Sequence, residues 1–242
     1  MKRLAVLGHP VAHSRSPAMQ EAALDAVGLG GGWSYEAIDI DPGDFEARVR
    51  AMPGEGFVGA NVTVPHKGAA LSVADVLSET AREIGAANTL SYDAGEIRAD
   101  NTDAPGFLEA LPGPVAGRRA LVLGAGGAGR AIVWALAREG AEVEVWNRTE
   151  LRAAHLCEEL GGRSVTDPDP AAYELLVNTT AVGLRGEDPF AELPLRAADL
   201  APSQTVVDMV YGAEPTRLLA AAEAAGATTV DGIELLVRRH DR

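Results

Sequence analysis

A single cysteine, Cys157, is present in the 242 residues, so no internal disulfide can form. The residues around it, Ala153-Ala154-His155-Leu156-Cys157-Glu158-Glu159-Leu160, have the spacing of an amphipathic helix, which makes the thiol a packing group and favours a reducing cytoplasm. Basic side chains are scarce: 21 Lys and Arg against 35 Asp and Glu leave a formal net charge of −14. That balance argues against nucleic acid as a partner, because a phosphate-binding face needs clustered cations, yet it allows a small anion to be held by one or two local ones. No apolar run is long enough to cross a membrane, and the stretch after Lys2 and Arg3 stops at Gly8-His9-Pro10, too short for the core of a signal peptide. Long polar or repetitive tracts are also missing. With 47% hydrophobic and 23% charged residues, the chain has the make-up of a folded globular protein.

What is present is an alternation of Val-, Leu- and Ile-rich runs with segments of helical period, the written form of an α/β protein with mainly parallel sheets. Strands are predicted over residues 4–7, 35–40 and 59–64. Helices are predicted from Ser16-Pro17 to Gly28, over 42–52, over 67–73 and over 78–84, with Ser16 as the cap of the first. A hairpin of strands 89–92 and 97–101 turns through Asp93-Ala94-Gly95-Glu96. The breaker cluster Leu111-Pro112-Gly113-Pro114-Val115-Ala116-Gly117 marks a domain boundary there or one helix earlier, giving two domains. Beyond it, strands are predicted over 120–123, 143–146, 175–178, 205–208 and 228–230, and helices over 128–139, 151–160 and 216–225, as in a doubly wound nucleotide-binding domain.

Gly124-Ala125-Gly126-Gly127-Ala128-Gly129 fits G-x-G-x-x-G between a strand and a helix. The first glycine allows the tight turn, the second lets a pyrophosphate approach the backbone, and the third lets helix pack on strand. The next strand ends in Trp146-Asn147-Arg148-Thr149 with no acid at its tip. Glu144 lies within the alternation Val143-Glu144-Val145 and belongs to a strand face. Arg148 can therefore pair with a 2′-phosphate and Thr149 add a hydroxyl, which favours NADP over NAD. A solvated arginine at a helix start is the alternative.

In the first half, Gly8-His9-Pro10-Val11-Ala12-His13-Ser14-Arg15-Ser16-Pro17 follows the first strand, so its hydroxyls emerge where ligands bind in α/β sheets. His9 and His13 stand four apart, but Pro10 excludes a helix there, and no metal site is expected. Asn61-Val62-Thr63-Val64-Pro65-His66-Lys67 puts Asn61 and Thr63 on one strand face and a lysine just past the strand end. Asn88-Thr89 and Asn101-Thr102-Asp103 add two polar corners. Inward polar groups need partners, and a polyhydroxy ligand would provide them; turn and cap roles, and a solvated Lys67, are the alternatives.

These segments, with Gly85-Ala86-Ala87-Asn88-Thr89, Asn178-Thr179-Thr180-Ala181-Val182-Gly183 and Asp208-Met209-Val210-Tyr211, resemble the shikimate dehydrogenases in kind and order over nearly the whole chain. The resemblance implies a substrate domain over 1–103, to which 231–242 return, a Rossmann-type NADP-binding domain over 104–230, and a cleft between them. It implies NADPH-dependent, reversible reduction of 3-dehydroshikimate to shikimate in the biosynthesis of aromatic amino acids. Lys67 and Asp103 would be the catalytic pair. Ser14 and Ser16 would hold the substrate carboxylate, and Asn61, Thr63, Asn88, Asp103 and Tyr211 its hydroxyls. Gly124, Ala125, Gly126, Gly127, Ala128, Asn147, Arg148, Thr149, Met209 and Gly232 would line the NADP site. The resemblance departs at Arg239, where members carry a substrate-contacting glutamine, and members continue past the position of Arg242 into a last helix that packs on the substrate domain. A paralogue acting on quinate or an aminated shikimate, or a non-catalytic NADP-binding protein, are the alternative readings. A homodimer is left open.

Hydride delivery to a ketone builds negative charge on oxygen, which a lysine can meet with a cation and a proton. Met209 and the 178–183 loop are expected to bound the nicotinamide pocket.

Overall fold

Apolar side chains on both sides of the first strand require it to lie inside a sheet covered on two faces. In the computed structural model, which describes residues 1–238, this is β1 (Lys2–Gly8). Ala5 and Leu7 enter one buried cluster, and Val6 joins Val11 and Tyr35 in another. The chain divides into two compact units, the first ending at Thr102 and the second beginning at Asp103.

In the first unit β1 is followed by α1 (Ser16–Ala26), β2 (Trp33–Asp39), α2 (Phe45–Ala51), β3 (Phe57–Val62), α3 (Lys67–Val73), β4 (Val76–Leu77), α4 (Glu79–Ile84), β5 (Thr89–Asp93) and β6 (Glu96–Asp100). The strand order is β2-β1-β3-β5-β6-β4. Strands β2, β1 and β3 run parallel, and the β5–β6 hairpin joins β3 antiparallel. The carboxyl ends of β1, β2 and β3 therefore share one edge, where the loops after β1 and β3 begin. Phe45, Val49, Met52, Phe57 and Leu90 pack the core of this unit, and Phe45 also stacks on the His66 ring with centroids 4.5 Å apart.

The second unit opens with α5 (Asp103–Ala110) and continues through β7 (Arg119–Leu123), α6 (Gly127–Arg138), β8 (Glu142–Trp146), α7 (Glu150–Leu160), β9 (Arg163–Ser164), β10 (Leu175–Asn178), α8 (Pro189–Glu192), β11 (Thr205–Asp208), α9 (Arg217–Ala224), β12 (Thr228–Val230) and α10 (Gly232–Arg238). Its order, β12-β11-β10-β7-β8-β9, is parallel throughout. Counted from β7, this is the 3-2-1-4-5-6 order of a dinucleotide-binding sheet, with its switch point between β7 and β10. Ala120 to Leu123 of β7 are fully buried, and α6 turns Ala131, Ile132, Ala135 and Leu136 inward at helical spacing.

The predicted elements are present, with physical reasons where they differ. The helix over 42–52 is three pieces: a 3₁₀ turn Pro42–Asp44, α2, and a 3₁₀ turn Met52–Glu55, because Pro53 lacks the N–H that would extend the α-helix. The strand over 59–64 ends at Val62; Pro65 has no donor to continue the ladder, and Val64 is 42% exposed. Ser16 is not the cap of α1. It is the first helical residue, Arg15 holds the cap position, and the Ser14 hydroxyl accepts from the Ser16 N–H at 3.2 Å. Of the segment expected to return to the first domain, Gly232–Arg238 forms α10, which packs against α5; Arg239 to Arg242 lie outside the described residues. Among the described residues, no helix is long and apolar enough to cross a membrane, and no group of His, Cys, Asp and Glu could hold a metal ion.

Removing the Phe45 ring leaves a cavity beside His66. Phe45→Ala should lower the unfolding free energy by about 3–5 kcal/mol, measured by urea denaturation; a loss under about 1 kcal/mol would mean that the site collapses without cost.

Candidate active site

In the first unit, polar residues gather at the carboxyl ends of the parallel strands. Asn61, near the end of β3, accepts from the Tyr35 hydroxyl at 2.7 Å and donates to Thr89 Oγ1 at 3.5 Å. Asn88 is buried and ties several segments together. Its carbonyl oxygen accepts from Thr102 N at 2.9 Å and Thr89 Oγ1 at 3.1 Å, and its amide donates to Thr102 Oγ1 at 3.1 Å. Asn101 donates to the Ala86 carbonyl at 2.9 Å, fixing the chain just before Asp103.

Lys67 is only 7% exposed and opens α3; its carbonyl accepts from Ala87 N at 2.9 Å. The solvated-lysine alternative is thereby overturned. Lys2 and Lys67 are the only lysines in a sequence otherwise supplied with arginine. The distinction is chemical: a guanidinium stays protonated in proteins, whereas an ammonium can release its proton. Ser16 is 3% exposed, and among the described residues its hydroxyl has no hydrogen-bond partner, which leaves it to a water or a ligand. The Ser14 oxygen accepts from Ser16 N, so its own O–H remains able to donate. Asp103, 1% exposed, is the first residue of α5 and lies in the second unit, whereas Lys67 lies in the first.

In the second unit the glycine loop is shaped for a phosphate. Gly124 has φ +114°, a left-handed value that L side chains rarely adopt, and a Cβ on Gly129 would collide with the Gly124 carbonyl oxygen. Gly126 at the N-cap offers no side chain to the first N–H groups of α6, which leaves them for an anion. Asn147 bridges this loop to the end of β8: its oxygen accepts from Ala125 N at 3.1 Å and its amide donates to the Thr149 carbonyl at 2.9 Å. Arg148 and Thr149 are exposed beyond it, and among the described residues Arg148 has no ion-pair partner. Glu144 keeps to the strand face, accepting from the Tyr173 hydroxyl at 2.6 Å and pairing with Arg163. These residues fit a dinucleotide with a 2′-phosphate.

Asp208 is a residue whose role the motif reading passed over. At the end of β11, 1% exposed, it accepts from Thr216 Oγ1 at 2.6 Å, Asn178 Nδ2 at 2.9 Å and Val210 N at 3.0 Å. It thus joins the 178–183 loop to the 209–216 loop. Burial pushes its carboxyl up to about 6, against the three hydrogen bonds that favour the anion. Met209, Tyr211 and Gly232 are brought together beside it: a Cβ on Gly232 would lie 2.6 Å from the Met209 carbonyl oxygen and 2.9 Å from the Tyr211 ring. Tyr211, expected on the substrate, stands in the second unit. A groove of about 620 Å³ lies along its loop, but Glu214, Glu223, Asp231 and Glu234 line it, a poor setting for phosphates.

The glycine loop of the second unit and the buried lysine of the first are each suited to the same class of protein, an oxidoreductase that uses a nicotinamide dinucleotide. The particular family follows from comparison with known proteins. The family model of the shikimate dehydrogenase substrate binding domain matches residues 6–90, and that of shikimate / quinate 5-dehydrogenase matches residues 109–178. A shikimate dehydrogenase (NADP(+)) of Methylobacterium radiotolerans is 46% identical, with 98% of this chain and 88% of that protein covered. A shikimate 5-dehydrogenase of Thermus thermophilus, solved in complex with NADP(H) and shikimate, superposes with a TM-score of 0.88 at 46% identity, covering 99% of this chain and 90% of that one. The shikimate dehydrogenase of Aquifex aeolicus gives a TM-score of 0.91 at 36% identity over 99% and 89% of the two chains. The chain belongs to the shikimate dehydrogenase family.

Because the folded-state value of Asp208 is raised from 3.8 to about 6, the folded state binds its proton more tightly than the unfolded chain does. Its contribution is fully present below pH 3.8 and is lost as pH rises through about 6. Asp208→Asn should therefore remove a fall in stability of up to about 3 kcal/mol between about pH 4 and 6. Parallel stability curves for the two proteins over that window would rule this out.

Proposed function

We propose that this chain reduces 3-dehydroshikimate to shikimate, reversibly and with NADPH, as a step toward aromatic amino acids. The observation that carries the reading is the buried Lys67 in the unit that also holds the unanswered Ser16 hydroxyl and the fixed amides of Asn61 and Asn88, the unit that matches the family's substrate-binding domain. The curated relatives of like length bear the name shikimate dehydrogenase (NADP(+)), and the residues of the cradle suit the same cofactor.

In this reading the Ser14 and Ser16 hydroxyls donate to the substrate carboxylate, while Asn61, Thr63, Asn88 and Tyr211 hold its ring hydroxyls. NADPH, when bound, supplies the hydride to the ketone carbon. Lys67 meets the charge that develops on the ketone oxygen and donates the proton that completes the alcohol; in the reverse direction it takes that proton back. Asp103 is the second member of the acid–base pair. Asn147 holds the glycine loop and the Arg148 corner in one register, Arg148 and Thr149 receive the 2′-phosphate, and Met209 bounds the nicotinamide site. Cys157 is half-buried, and burial raises its thiol above the ordinary range. It takes no part, and we place the protein in the cytoplasm.

The direct test is the NADPH absorbance band, followed with shikimate and with quinate, each with NADP⁺ and NAD⁺. Lys67→Ala should cut turnover by about two to four orders of magnitude while NADP⁺ affinity, from fluorescence titration, stays put; full turnover would take Lys67 out of the reaction. Arg148→Asp should raise the KM for NADPH at least about tenfold and leave that for NADH nearly unchanged, whereas an equal change in both would argue against 2′-phosphate recognition.

A further inference from the structure

The loop after β1 carries Ser14 and leads into Ser16 at the head of α1, and beyond a single turn it has no regular structure to hold it. A carboxylate from the neighbouring strand does so. Asp39, the last residue of β2, places Oδ1 2.6 Å from His9 Nδ1 and accepts from Val11 N through Oδ2 at 3.2 Å. Asp41 stands 3.5 Å from the other ring nitrogen of His9. The connection runs on to the serines. The Val11 carbonyl accepts from Ser14 N at 2.9 Å, and the Ser14 hydroxyl accepts from Ser16 N at 3.2 Å. Val11 itself is 2% exposed, packed with Val6 and Tyr35. Below the loop, His9 N donates to the Val64 carbonyl and Ile40 N to that of Gly8, each at 3.0 Å.

We propose that Asp39 is a positioning residue for the substrate carboxylate. By gripping His9 and Val11 it sets the height and orientation of the turn that presents the Ser14 and Ser16 hydroxyls. A carboxylate that takes one backbone N–H and one ring nitrogen fixes a loop in two directions at once, and charge-assisted bonds of this kind are stronger than neutral ones. The hydrogen bond from His9 holds the Asp39 carboxyl below the usual carboxylate range, so the anion persists at working pH. The side chains of His9 and Asp39 are 43% and 50% exposed, which marks the pair as dispensable for packing. A residue kept for the core would be buried. The inference rests on the functional reading above, since it is that reading which gives the two serines a carboxylate to hold.

The test is steady-state kinetics of Asp39→Ala in the full chain. The KM for shikimate should rise about tenfold, the scale of one lost charge-assisted hydrogen bond. The turnover number, the KM for NADP⁺ and the melting temperature should stay close to wild type. Asp39→Asn keeps an oxygen able to accept from Val11 N and should recover most of the loss. In a Ser14→Ala/Ser16→Ala background the Asp39→Ala change should add less than about twofold, because both hydroxyls that it positions are already gone. Amide hydrogen exchange over residues 11–16 should quicken in Asp39→Ala. An unchanged shikimate KM, unaltered exchange in the loop, or a parallel fall in turnover, cofactor affinity and melting temperature would each overturn the assignment. A wild-type chain that leaves shikimate untouched while its loop exchange still responds to Asp39 would instead remove the functional reading, and with it the carboxylate that this residue is said to serve.

Discussion

Buried polar groups at the ends of parallel strands must find partners, and both units of this protein are organised around that requirement. In a parallel sheet the strands finish side by side, so their last carbonyls, amides and side chains crowd one edge. In the first unit Asn88 meets the demand, holding Thr102 by side chain while its backbone accepts from Val62 N at 2.7 Å and donates to the Asp100 carbonyl at 3.0 Å. In the second unit Asp208 meets it, with Asn178 and Thr216. Each is a single side chain closing two or more loops, so these loops are anchored at the strand ends.

The groups left over from this pairing are the ones suited to ligands. Ser16 and Thr63 carry hydroxyls that no described residue engages, and Arg148 stands at the β8 tip with no counter-charge among the described residues, in a chain whose net charge is −14. Most other arginines are matched to an acid, as with Arg48 and Glu55 or Arg130 and Glu159. The lack of an acid at that strand tip is what the proposed 2′-phosphate role of Arg148 rests on.

Much of this was legible in the residues. The glycine loop follows from its spacing because its glycines stand where a side chain is barred: Gly124 by φ, Gly129 because a Cβ there would collide with the Gly124 carbonyl. The strands over 120–123 and 175–178 are unbroken apolar runs, and runs of that kind read clearly. Boundaries read less well where proline intervenes, as at Pro53 and Pro65, since periodicity continues on paper after the backbone has lost its donor. Asp39 and Asp208 were illegible as anchors. An acid at a strand end looks the same whether it faces water or clamps a loop, and Asp39 meets His9 from 30 positions away, as Asp208 meets Asn178.

By itself the amino-acid sequence determined the α/β class, the glycine loop between strand and helix, and the family, because each of these is carried by local pattern: apolar periodicity, glycine spacing, motifs in order. Only the tertiary structure decided that Lys67 is buried, that Ser16 is a helical residue and not a cap, with a hydroxyl unanswered among the described residues, and that α10 packs on α5. It alone revealed which carboxylates hold which loops. The physical reason is that burial and hydrogen bonding depend on neighbours distant in the chain, and a side chain's charge and reach say nothing of who those neighbours are until the strands are laid in register.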